Sequence, residues 1–129
     1  MSGPGRSPFS YAILRVVPRI ERGECINAGV VLYCQDRRFL RARVFLDERR
    51  LAALAEGIAP AAVRAQLDTL VRIAAGAPDA GPVAGLPLQQ RFGWLVSPSS
   101  TIVQASEVHT GLCAEPSDTL DELFAELVE

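Results

Sequence analysis

The stretch CINAGVVLYC, residues 25–34, restricts the fold more than any other segment. It is apolar at successive positions, so a strand built from it is apolar on both faces, as expected near the middle of a sheet. At ten residues it is far short of the ~18 apolar residues a membrane-spanning helix needs. Its flanks supply the neighbouring strands. FSYAILRVV (9–17) is rich in β-branched and aromatic residues and is stopped by Pro18. After the tight connection QDRR comes FLRARVFL (39–46), which alternates strictly. Leu40, Ala42, Val44 and Leu46 point one way, and Phe39, Arg41, Arg43 and Phe45 the other. Three strands with short connections predict an antiparallel meander.

Helical periodicity follows. Asp47 is a suitable N-cap for ERRLAALAEG, with Gly57 as a stop, and Pro60 fits the first turn of a second helix. In that helix Val63, Leu67, Leu70, Val71 and Ala74 form one stripe. GAPDAGPVAGLP reads as a loop, and RFGWLV (91–96) is too short to decide between helix and strand. STIVQAS predicts a strand, EVHTGLC its continuation into a turn, and PSDTLDELFAELVE a capped helix. Leu120, Leu123, Phe124, Leu127 and Val128 lie on one side of that helix. The expected class is α+β: a meander of three N-terminal strands plus one or two late strands, with helices packed on one face. Residues 1–8 are expected to be a flexible arm, and residues 9–129 a single domain.

Composition narrows the setting. All 13 basic residues are arginine and asparagine occurs once, a bias that points to a GC-rich bacterial genome and singles out Asn27. Cys25, Cys34 and Cys113 are odd in number and lack CxxC spacing, which predicts reduced thiols in a cytoplasmic protein, with no disulfide and no metal. The net charge of −2 conceals an asymmetry: ten arginines against five acids in residues 1–50, three against ten in residues 51–129. Such a split marks either an anionic partner or a basic sheet complemented by acidic helices.

The run YAILRVVPRIERGECINAGVVLYC, with RRFLRARV and the late SEVHTGLC, resembles a bacterial family, domain of unknown function 3037. The residues carrying the resemblance are Tyr11, Arg15, Pro18, Arg22-Gly23-Glu24, the Asn27–Leu32 run and His109-Thr110-Gly111. The resemblance implies no reaction and no cofactor. It implies one candidate partner, a HipA-like kinase encoded nearby.

Three sets of residues are candidates for function. Arg22, Gly23, Glu24 and Asn27 could form one wall of a site, with His109, Thr110 and Gly111 as another. Arginine can hold a carboxylate or phosphate bidentately, glycine admits a ligand to the backbone, and Glu24 or a His109–Glu107 pair could move protons. The bland alternative is a hairpin loop, an asparagine bonded to backbone and a histidine in a turn. The third set, Phe39, Arg41, Arg43 and Phe45, interleaves aromatics with arginines as nucleic-acid-binding sheets do, and equally as ordinary surfaces do. Zinc-like spacing, a nucleophile elbow and a phosphate loop are all missing. The leading expectation is an accessory module that binds a protein partner. A small enzyme acting on a phosphorylated or nucleotide-like substrate through Glu24, Asn27 and His109 is the alternative, and a nucleic-acid-binding module a further one.

Overall fold

The computed structural model describes residues 5–99 and 101–129. Five antiparallel strands form one sheet: β1 (Ser7–Val16), β2 (Ile26–Cys34), β3 (Phe39–Val44), β4 (Val103–Ala105) and β5 (His109–Cys113). Helices α1 (Glu48–Leu54), α2 (Pro60–Ala75), α3 (Leu88–Leu95) and α4 (Pro116–Leu127) complete the α+β architecture. The segment 91–96 therefore lies mostly within α3. Asp47 caps α1 as its sequence demands, accepting from the Arg49 and Arg50 amides at 3.1 Å each.

The meander β3-β2-β1 is in place, and β1 is the organising strand. One of its edges pairs with β2 over Ser10–Val16. Its other edge is shared, with β4 opposite Leu14–Val16 and β5 opposite Ser7–Tyr11. Between Leu14↔Ala105 and Tyr11↔His109 the register moves by one residue. Such a slip reverses the faces of every following side chain. Buried Ser106 sits at this break: its amide donates to the Ile13 carbonyl at 2.8 Å, and its Oγ accepts from the Ile13 amide at 2.8 Å. A side-chain oxygen thus replaces the carbonyl that a continuous strand would have offered.

The helices do not all share one face, which corrects the sequence-based expectation. Ala12, Leu14, Val31, Leu40 and Ala42 pack beneath α2 and α3, against Ile73, Ala74, Phe92 and Leu95. Phe9, Val30, Leu32 and Cys34 pack on the opposite side, beneath Leu120, Phe124 and Val128 of α4. The reason lies in β2: Val30, Val31 and Leu32 are all completely buried, which a single layer of helices cannot accomplish. A third cluster closes the end of the sheet, where Val16, Ile26 and Val103 meet Leu51 of α1 and Val63 and Leu67 of α2. The expected arm falls partly outside the described residues, at 1–4, and Ser7 and Pro8 already belong to β1.

Candidate functional site

Asn27 has a definite task. Its Nδ2 donates to the carbonyl of Leu127, the last residue of α4, at 3.0 Å. The last carbonyls of a helix have no intrahelical partner, so a positioned amide there both anchors and caps it. A β-bulge makes this reach possible. Leu14 pairs with Gly29 but Arg15 pairs with Asn27, leaving Ala28 as the extra residue. Asn27 therefore turns to the α4 side, while the Ala28 carbonyl accepts from Phe45 N at 2.8 Å. Gly29, next to the bulge, has no room for a side chain. A Cβ there would lie 2.8 Å from the Arg43 carbonyl oxygen and 2.8 Å from Val44 Cγ1.

Arg22, Gly23 and Glu24 lie in the exposed β1–β2 connection, after a short 3-10 turn at Ile20–Arg22. Gly23 takes φ 70°, and Arg22 Nε meets Glu24 Oε1 at 2.8 Å. The pair satisfies itself in open solvent, where such a bridge contributes little.

His109 pairs with Tyr11 across the β1–β5 ladder, and their rings are 5.2 Å apart. Its Nε2 is 3.6 Å from Glu107 Oε1, so the histidine–carboxylate pairing foreseen in sequence is present, with both side chains largely exposed. Gly111 lies under Phe9, whose ring atoms would be 2.8 Å from an added Cβ. Thr110 is exposed on the opposite face.

These two groups are not brought together. Asn27 is opposite Arg15 and His109 is opposite Tyr11, on different edges of β1. Four residues separate those β1 positions, about 13 Å along the strand, and two strand spacings of about 4.8 Å lie across it. The cause is β4, which occupies the hairpin-proximal part of β1 and displaces β5 toward its other end.

The face of Phe39, Arg41, Arg43 and Phe45 forms as the alternation requires, and α4 lies over part of it. Arg43 Nη1 binds Asp121 Oδ1 at 2.8 Å, and its guanidinium stands 4.4 Å from the Phe124 ring centroid. Phe39 packs against the α4 core cluster, with Arg41 stacked 5.1 Å from its centroid. An arginine face running openly from β3 to Arg15 is not formed, since α4 covers Val30 and Leu32 between them.

Cys34 and Cys113 are buried free thiols in the α4 cluster, and Cys25 is exposed. Burial, reinforced by neighbouring Cys34, pushes the Cys113 thiol above its ordinary value. Among the described residues no three His, Cys, Asp or Glu side chains converge in a way that could hold a metal ion. Sequence reading missed Ser106, for which no signal existed, and the Tyr11 ring beside His109, which strand pairing alone reveals.

The family model described as "Protein of unknown function (DUF3037)" matches residues 11–128. No curated protein and no solved structure matches the chain.

Proposed function

The chain belongs to the DUF3037 family, and we propose that it acts as a small accessory module that binds a protein partner along the outer edge of β5. The observation behind this reading is the contrast between that edge and its counterpart. Among the described residues, β5 pairs only with β1, and its other edge is unpaired. Proteins blunt exposed edges with charge or cover, and an unblunted one is a template for strand addition. The β3 edge carries Arg41 and Arg43 within six residues. The five residues of β5 include no arginine, aspartate or glutamate, and Leu112 stands 61 % exposed, with Val108 just before the strand 43 % exposed. An added partner strand would gain backbone bonds from His109–Cys113 and a side-chain pocket from Leu112. On this reading His109, Thr110 and Gly111 belong to a binding edge, and Gly111 keeps that edge flat beside Phe9.

The first bait is a HipA-like kinase, the partner that the family resemblance implies. Binding of purified chain and kinase is measured by calorimetry, with Leu112→Arg and Arg41→Ala as the test pair. Leu112→Arg should weaken binding at least tenfold with an unchanged melting temperature, while Arg41→Ala binds normally. Equal binding by Leu112→Arg would remove the edge from the interface, and no complex with any gene neighbour would defeat the partner reading.

A further inference from the structure

On the face opposite α4, next to β4, a cavity of about 420 Å3 opens between α2, α3 and the connection that leads into β4. Its size lies within the range of small-molecule sites. Leu14, Leu70, Leu95, Val103 and Ala105 supply an apolar base, and Trp94 of α3, 47 % exposed, stands at the side. The polar members are Gln66 and Thr69 of α2, then Ser97, Ser99, Thr101 and Gln104. Among the described residues no charged one lines it, in a chain where 22 % of residues are charged.

The hydroxyl groups of this lining are all engaged as donors. Thr69 Oγ1 donates to the Ala65 carbonyl at 2.9 Å, and Ser97 Oγ to the Gly93 carbonyl at 2.7 Å. Thr101 Oγ1 donates to the Val103 carbonyl at 2.8 Å, so in the 2.8 Å contact between Ser99 Oγ and Thr101 Oγ1 the serine must be the donor. Each hydroxyl has one proton, so all four are committed to the protein and only lone pairs remain. Gln104 Nε2 is directed at the Thr101 carbonyl, 3.0 Å away, and its Oε1 accepts no hydrogen bond from the described residues. The four hydroxyls therefore present only acceptors around an apolar base, and the Gln66 and Gln104 amides and the Trp94 indole add N–H donors beside them.

We infer that this cavity is a binding site for an uncharged, flat aromatic or heteroaromatic small molecule that carries N–H donors. Charged ligands are disfavoured because no counter-charge lines the site and desolvating an ion without one is costly. A flat ring matches both the apolar base and the Trp94 indole, which can stack on it. Donors on the ring rim match the lone pairs of Thr69, Ser97 and Gln104. This site is separate from the β5 edge, and the two stand or fall independently.

Trp94 is the only tryptophan in the chain, so fluorescence excited at the red edge of tryptophan absorption, beyond the two tyrosines, reports on this residue. The full chain is titrated with benzamide, 2-aminopyrimidine and adenine, and with benzoate as the anionic counterpart of benzamide. At least one of the three neutral rings should give a saturable change in Trp94 emission, with benzoate at least tenfold weaker than benzamide. Thr69→Phe and Gln66→Phe, both at exposed α2 positions, should each block the cavity and weaken binding at least tenfold. The fold is checked by melting temperature, and whichever variant melts like the parent decides the test. The inference is overturned if none of the three rings saturates, if benzoate binds as well as benzamide, or if the folded blocking variant binds like the parent.

Discussion

The two faces of the sheet use polar residues in opposite ways. On the α4 face, the groups most conspicuous in sequence are engaged by the fold itself: Asn27 holds the end of α4, Arg43 lies against Phe124 and Asp121, and Gly111 makes room for Phe9. On the α2/α3 face, residues with no motif value surround a cavity. A rare or charged residue in a sequence thus signals a local requirement, and here that requirement is attachment of a helix. The two faces should accordingly respond differently to mutation: α4-face changes should act on stability, and cavity-face changes on ligand binding.

The strongest test of that contrast is removal of residues 117–129. It would expose the surface covered by Leu120, Phe124 and Val128, each worth about 1.5–3 kcal/mol when buried, against a total stability of about 5–15 kcal/mol. The truncated chain should lose its cooperative melting transition. A soluble truncate melting at the parental temperature would show that α4 is an appendage.

Gly29→Ala comes next. The added methyl meets a backbone carbonyl that cannot step aside without parting β2 from β3, so a loss of about 1–3 kcal/mol is expected in denaturant unfolding. Asn27→Ala should cost about 1–2 kcal/mol by leaving the Leu127 carbonyl without its donor. Asn27→Asp should be worse than alanine, because a carboxylate would face the negative end of the helix. If Asn27→Asp proved as stable as the parent, the amide would not be holding α4.

Arg43→Ala should cost no more than about 1 kcal/mol, since its ion pair and its contact with the Phe124 ring are both partly solvated. A larger loss would mean that the charged group matters more to α4 docking than the apolar stripe does.

The smallest effects concern thiols. Cys25 alone should react with a thiol reagent under native conditions, and Cys34 and Cys113 only as the chain unfolds. The raised Cys113 value carries a pH signature. Because the folded state holds the neutral thiol more tightly than the unfolded chain does, its contribution is complete below the ordinary thiol value. It is lost as pH rises from there through the folded value, so stability should decline on the alkaline side. Cys113→Ala should flatten that decline, and an unchanged alkaline limb would assign it to other groups.

Much of this molecule is fixed by local chemistry, and the sequence alone determines it. The alternation of Phe39–Leu46, the run at 25–34, the Asp47 cap, Pro60 and the 117–128 stripe each specify an element through short-range sterics and periodicity, and each is found in the structure. The both-face apolarity of β2 needs cover on two sides, where the order of elements points to helices on one face only. What the sequence did not carry is which helix covers which side, because any apolar stripe fits any apolar face. That choice depends on chain connectivity and on two one-residue shifts in register, a bulge and a strand break. The bulge at Ala28 turns Asn27 toward α4, and the break at Ser106 sets His109 opposite Tyr11, while β4, lying opposite Leu14–Val16, keeps it away from Asn27. Whether neighbouring residues share a site depends on such single-residue shifts in register, which carry no periodic signal. The cavity beside Trp94 is likewise a product of tertiary structure, since it needs α2, α3 and β4 to leave a space that none of them specifies alone.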